Sequence, residues 1–255
     1  MPGVSRPVAL VTGAGRRVGR AIAIDLARHG FDVAIHFHGS RAEAEDVAAN
    51  ADSFGARTAL IEADLADIGE AGRLVSAATE ALGPVGLLVN NASMFLDDEL
   101  ADFDWQQFDR HFAIHVKTPL ELARRFAVAL PVDRQGLVVN IIDQRVWKPT
   151  PRFFTYSLSK ATLWAATQTM AQALAPRIRV NAIGPGPTLP NPRQSQADFD
   201  QQSRNVLLGR GPELDAFGRT IRYLWEEVSV TGQMIAIDGG QHLAWETPDV
   251  AGIAE

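Results

Sequence analysis

An α/β fold with one doubly wound parallel sheet of about seven strands and helices on both faces is predicted by two features of the 255-residue sequence. Short, nearly continuous apolar runs rich in β-branched residues alternate along the chain with longer amphipathic stretches. Strands buried on both faces read this way, and a helix after each strand is the connection that parallel pairing requires. Hydrophobic residues at 46% and charged residues at 21% supply the core such a sheet needs and lie far from the composition of disorder. No repeat and no linker-like composition interrupts the alternation, so residues 1–255 read as a single domain.

The first strand is Pro7–Thr12, and the helix after it carries Val18, Ile22 and Leu26 at helical spacing and stops at Gly30. Phe31–Phe37 is the second strand, leading through Gly39-Ser40 into an Ala/Glu-rich helix from Arg41 to about Phe54. The third, Arg57–Glu62, precedes Ala63-Asp64-Leu65 and a helix ended by Gly83-Pro84. Val85–Val89 is the fourth, followed by a loop and one long helix from about Asp104 to Leu130. After the fifth, Gly136–Ile142, come a Pro-containing loop and a helix from about Thr155 to Leu174. Ile178–Ile183 and Gln233–Asp238 complete the sheet. Between these two the alternation lapses in the Pro/Gln-rich stretch Pro185–Ser203. Such sheets bind ligands at the carboxyl ends of their strands, so the segment at about 185–210 reads as a lid over that end.

A formal charge of -6 without a Lys/Arg tail argues against a nucleic-acid partner and still allows a small anionic cofactor. The absence of Cys excludes disulfides, thiolate metal sites and cysteine nucleophiles. The longest apolar runs fall short of the roughly 20 residues of a membrane span, and the N-terminus does not read as a secretion signal. A cytoplasmic location is therefore expected, with no membrane partner. His111 and His115 have metal-chelating i,i+4 spacing but lack the Glu of H-E-x-x-H, and no metal is expected. His36 and His38 share a strand face and read as cofactor-phosphate contacts or as solvated side chains. No G-x-S-x-G elbow is present, which removes the usual α/β-hydrolase signature.

Thr12-Gly-Ala-Gly-Arg-Arg-Val-Gly19 follows a strand and opens a helix, so backbone N–H groups and the helix N-terminus can meet a pyrophosphate. Its glycine spacing is not G-x-G-x-x-G, and without Gly-Lys-Ser/Thr it is not a P-loop. Folds that take the unphosphorylated dinucleotide usually carry an acid at the end of the second strand. Here that place reads His36-Phe-His-Gly-Ser-Arg41, and Arg16 and Arg17 lie in the first loop. Either these arginines are solvated helix-start charges or they pair with a 2′-phosphate; the second reading makes NADPH the cofactor and reduction the working direction. Tyr156 and Lys160 stand at i and i+4 at the start of a helix. A phenol with a pKa of about 10 is a poor acid/base near neutrality, and a nearby cation is expected to lower it.

Taken together these residues resemble the short-chain dehydrogenase/reductase family. The ordered matches span nearly the whole chain: Thr12 to Gly19, Ala63-Asp-Leu65, Asn90-Asn-Ala92, Asn140, Tyr156 to Lys160, Arg179-Val-Asn-Ala182, Gly184-Pro-Gly186, Val230-Thr-Gly232 and Ile237-Asp-Gly-Gly240. The resemblance implies a Rossmann-type sheet, a nicotinamide cofactor, a small-molecule substrate, and a homotetramer or homodimer. The cofactor is then expected along Gly13, Arg16, Arg17, Val18, His38, Ser40, Arg41, Asp64, Leu65, Asn91, Ala92, Ser93, Lys160, Pro185 and Gly186, with Lys160 on the nicotinamide ribose.

Thirteen residues before the Tyr, most members have a Ser that donates to the substrate oxygen; this chain has Asp143. A carboxylate there would repel the alkoxide formed when a ketone accepts hydride, and it suits proton delivery to the nitrogen of a C=N bond through Tyr156. In this departure the chain is similar to the pteridine reductase subgroup, including dihydromonapterin reductases, in which Asp takes that position. Arg17, the His36–Ser40 stretch and Asn90-Asn-Ala-Ser-Met-Phe95 agree with it, although Gly39 stands where some members have Arg. The resemblance implies that Ser93 contacts cofactor and pterin, that Phe95 stacks on the flat ring, and that Asp143, Tyr156 and Lys160 are catalytic. The expected activity is NADPH-dependent reduction of a dihydropterin to its tetrahydro form. Reduction of a ketone or 3-oxoacyl thioester, or cofactor binding without catalysis, are the alternatives. His115 stands where many members have an Asn acting through its backbone carbonyl, leaving its side chain free for a new task. Trp147 could border the substrate, and Arg145 either pairs with a substrate anion or is solvated.

Overall fold

The computed structural model describes residues 6–191 and 193–246; the two ends of the predicted domain, 1–5 and 247–255, lie outside the described residues. Strands β1 (Val8–Val11), β2 (Asp32–Phe37), β3 (Thr58–Glu62), β4 (Val85–Asn90), β5 (Gly136–Ile141), β6 (Ile178–Pro185) and β7 (Met234–Ile237) form one sheet. Their order is β3-β2-β1-β4-β5-β6-β7, and every neighbouring pair is parallel. Every residue of β1, β2 and β5 is buried, and this is why those strands read as nearly continuous apolar runs. The order reverses between β1 and β4, so the loops after them diverge and leave a crevice at the carboxyl ends.

The connections carry α1 (Arg17–Arg28), α2 (Arg41–Asp52), α3 (Ile68–Ala71), α4 (Leu74–Leu82), α5 (Trp105–Phe112), α6 (Thr118–Ala129), α7 (Phe154–Leu174), α8 (Gln196–Arg204) and α9 (Asp215–Glu226). Successive strand residues point to opposite faces. Ala9 and Val11 join Ile22, Leu26, Val47, Phe217 and Ile221 of α1, α2 and α9 in one core, while Val8 and Leu10 join Leu74, Val75, Leu122, Phe126 and Met170 of α4, α6 and α7 in the other. No helix of the described residues is long and apolar enough to cross a membrane.

Two predicted helices are broken. The stretch from Asp104 to Leu130 is α5, a π-helical turn at Ala113–Lys117, and α6. Pro119 lies in the first turn of α6; it has no N–H for an i→i−4 bond and its ring crowds the carbonyl of His115, which widens the turn before it. The apolar pattern runs through on both sides and conceals the break. The helix before Gly83 is likewise two pieces, α3 and α4, the first capped by Asp67, whose carboxylate accepts from the N–H of Gly69 and Glu70.

Polar bonds in the core fix α7 against the sheet. Asn90 Nδ2 donates to Asn140 Oδ1 at 2.8 Å across β4 and β5, and Asn140 Nδ2 donates to Thr167 Oγ1 at 2.9 Å. At its N-terminus Asp98, distant in sequence, accepts from Thr155 N–H at 3.1 Å, from the Thr155 hydroxyl and from Gln107 Nε2. Helix α7 is thus held at both halves, which places Tyr156 at the crevice and Lys160 buried one turn further on.

Candidate active site

The turn after β1 closes too tightly for side chains. A Cβ at Gly19 would lie 2.1 Å from Gly13 O and 2.5 Å from Asn91 Nδ2, and Gly13 has φ +62. Asn91 braces the turn, its Nδ2 donating to Thr12 O at 2.8 Å, while the N–H groups of Asn91 and Ala92 donate to Thr12 Oγ1. From the other side Gly13 N–H donates to His36 Nδ1 at 2.9 Å, so the ring proton sits on Nε2 and donates to Ala63 O at 3.1 Å. Burial pushes His36 down to about 4, and it is neutral at physiological pH. His36 is therefore not the solvated side chain that is one reading of its sequence position; both ring nitrogens are bonded within the protein, and it braces the loop from the cavity wall.

A cavity of about 410 Å³ opens above this turn. Gly13, Arg16, Arg17, Val18, His38, Ser40, Asp64, Leu65, Asn91, Ala92 and Ser93 line it. The N-terminus of α1 has no acidic residue in its first turn and no side-chain cap, leaving its N–H groups for a ligand anion. With the glycine cradle, these features fit a dinucleotide. Pro185 and Gly186 line the adjoining cavity, and Arg41 lines neither, because it is drawn to Glu62 at 2.8 Å and over the Phe37 ring. Arg16 reaches the rim but is paired with Glu43.

The adjoining cavity measures about 580 Å³ and shares Arg17, Val18 and Ser93 with the first. Ser93, Phe95, Asp143 and Tyr156 meet in it. Tyr156 O–H donates to Asp143 Oδ2 at 2.9 Å, and Arg145 donates to the same carboxylate through Nη1 at 2.9 Å and its backbone N–H at 2.9 Å. Arg145, left open by the sequence, is thus the partner of Asp143. Lys160 lines neither cavity; its Nζ donates to Ile141 O at 2.9 Å and lies 5.7 Å from the Tyr156 ring centroid. Burial pushes Lys160 down to about 8, opposed by Asp143. Burial and then the Asp143 carboxylate push Tyr156 well above its usual 10, with Arg145 opposing. The sign is opposite to the lowering predicted from Lys160, because the hydroxyl faces a carboxylate and the ammonium faces a carbonyl. A phenol held in this way stays protonated at neutral pH.

Phe95 stacks on Phe153 at 4.3 Å and meets Tyr156 edge-on at 4.8 Å. The guanidinium groups of Arg145 and Arg193 lie over both phenyl rings at 5.4 to 5.8 Å. Phe153 and Arg193 gave no sequence signal: the first is placed by a left-handed φ of 55 and the second is brought across from the lid region. Trp147 does not line the cavity; it packs on His242 at 5.0 Å and Trp164 at 6.4 Å. His111 Nδ1 is bonded to Thr155 Oγ1, and the described residues contain no group of three or more side chains suited to a metal.

Residues 7–201 match the family described as short chain dehydrogenase. The chain belongs to the short-chain dehydrogenase family. Among solved structures, this short-chain dehydrogenase is similar to FolM alternative dihydrofolate reductase 1 from Brucella canis complexed with NADP, at 57% identity over 97% of this chain and 98% of that one, with a TM-score of 0.94. The FolM protein of Brucella suis, also in complex with NADP, is 56% identical over 97% of this chain and 100% of that chain, again with a TM-score of 0.94. The 3-oxoacyl-[acyl-carrier-protein] reductase FabG of Staphylococcus epidermidis is 30% identical over 92% of this chain and 98% of its own length.

Proposed function

We propose that this short-chain dehydrogenase is an NADPH-dependent reductase of a pterin-like C=N substrate, converting a dihydropterin to its tetrahydro form. The observation that carries the reading is the Tyr156–Asp143 hydrogen bond of 2.9 Å in a cavity walled by Phe95. A carboxylate beside the reacting atom disfavours a developing alkoxide, whereas a ring nitrogen that accepts a proton leaves no such charge. The two Brucella proteins, crystallised with NADP, support the cofactor and the substrate class. NADPH supplies the hydride. Tyr156 donates the proton to nitrogen and regains one from solvent water relayed by Asp143, which with Arg145 orients the phenol; Lys160 holds the nicotinamide ribose, and Phe95 offers a flat apolar wall. At the 2′-phosphate Arg16 and Arg41 exchange Glu43 and Glu62 for the ligand anion, alongside Arg17, His38 and Ser40. Residues 185–210 act as a lid, with Arg17 donating to Pro190 O at 2.9 Å and Leu189 O at 3.3 Å across the mouth. In keeping with its family, the protein assembles as a homodimer or homotetramer and works in the cytoplasm.

The test is NADPH oxidation with a dihydropterin and, separately, with a 3-oxoacyl thioester. The expected result is turnover of the first, lowered by about 10- to 100-fold in Asp143→Ser. The FabG relative gives the second reading its footing. Turnover of the thioester alone, raised by the same Asp143→Ser change, would replace the pterin reading with it.

A further inference from the structure

His115 sits in the π-helical turn with 1% of its surface exposed, and its neighbours determine where its proton lies. Met94 N–H points at Nε2 at 3.1 Å. A peptide N–H can only donate, so Nε2 carries a lone pair and the single proton of the neutral ring is on Nδ1. Nδ1–H donates to Ser159 Oγ at 2.8 Å, and the Ser159 hydroxyl in turn donates to Tyr156 O at 2.7 Å, so each atom has one consistent role. Burial, with the charge of Lys160, holds the imidazole well below its usual range and keeps a second proton off Nε2. Ser93 Oγ lies 2.9 Å from the same Nε2. That contact is a hydrogen bond only if Ser93 is the donor, sharing the single Nε2 lone pair with the longer Met94 N–H bond.

We infer that His115 fixes the polarity of Ser93: by taking the hydroxyl proton it leaves a pure acceptor where the two cavities meet, selecting a ligand that brings an N–H or amino group to that point. Serine is ordinarily ambivalent, able to donate or accept according to what approaches it. Here the rotor is committed, and a ligand oxygen at the same place would face lone pairs with no proton between them. The inference rests on the reductase reading and assigns to the His115–Ser93 pair the preference of that site for a 2-amino-4-oxo ring over the corresponding 2,4-dioxo ring. His115 acts through Ser93 and is a positioning residue.

Two measurements on wild type, Ser93→Ala and His115→Ala test it. The first is the ¹⁵N spectrum of the His115 imidazole in the ligand-free protein, where Nδ1 is expected protonated and Nε2 bare, with the Nε2 resonance displaced in Ser93→Ala. A protonated Nε2, or a resonance indifferent to Ser93→Ala, overturns the inference without any variant of His115 having to fold. The second is calorimetric binding of the 2-amino-4-oxo and 2,4-dioxo rings in the presence of NADP⁺. Wild type is expected to favour the amino ring by at least about tenfold, and both single variants and the double variant should bring the ratio toward one. A His115→Ala protein that binds both rings more weakly by the same factor shows a structural role alone and overturns the inference. If neither ring binds wild type, the reductase reading is what fails, and the imidazole spectra judge the polarity of Ser93 by themselves.

Discussion

Tyr156→Phe is expected to lower kcat for dihydropterin reduction by about 10²- to 10⁴-fold while changing NADPH affinity less than about twofold. The phenol is the group placed to give a proton inside the larger cavity, and its environment keeps that proton in place. It is buried, its hydroxyl donates to Asp143 Oδ2, and its pKa is driven well above the usual 10. The ring itself supports Phe95 edge-on at 4.8 Å, a contact that Phe retains, so the change removes one oxygen and leaves the packing. Stopped-flow measurement of NADPH oxidation, with cofactor affinity from fluorescence quenching, separates the two effects. A kcat within a few-fold of wild type would mean that water or Asp143 delivers the proton, and the assignment of Tyr156 as donor would fall.

What the sequence makes legible is what lies close along the chain. The glycine turn, the Tyr156/Lys160 pair on one helical face and Asp143 at the end of β5 are local patterns, and the structure brings them to one crevice because β1, β4 and β5 are adjacent in the sheet. Side-chain partners across long separations are not legible. Asp98 anchors the start of α7 from a loop 57 residues earlier, and Arg193 reaches Phe95 from the lid segment 98 residues away. Charge partners fall in the same class: nothing local says that Arg41 faces Glu62 on the neighbouring strand. The predicted lowering of the Tyr156 pKa failed for this reason, since it considered the cation one helical turn away and missed the burial and the carboxylate. The π-helical turn stayed hidden because Pro119 disturbs the backbone without disturbing the apolar period.

Lys160→Met is expected to change activity and stability in ways that depend on pH, and the two readouts test the same buried charge. In wild type the folded-state pKa of Lys160 is about 8 against 10.5 for the free side chain. Below about 8 both folded and unfolded chains carry the charge, and the fold bears a desolvation cost on the order of 3 kcal/mol. Between about 8 and 10.5 folding releases a proton, so wild-type stability rises with pH through that window. Methionine never pays this cost, though Ile141 O loses its 2.9 Å donor, which offsets part of the gain at every pH alike. The stability difference between variant and wild type should therefore shift toward wild type by on the order of 2 kcal/mol from neutral pH to about pH 10, as read by urea unfolding. A difference independent of pH would mean that the buried ammonium is not destabilised. Activity should follow the same proton: with Lys160 in the proposed role on the nicotinamide ribose, wild-type kcat/KM is expected to decline as pH rises past about 8, where its ammonium is lost. In Lys160→Met that alkaline decline disappears and kcat/KM is uniformly low, by about 10²-fold or more. In Lys160→Arg the charge persists across the range, so the decline should vanish from the accessible pH window even if the bulkier guanidinium lowers the rate. The side chain that destabilises the fold at neutral pH is then the one that prepares the crevice for the cofactor, and buried charge at this position is explained by function rather than by stability.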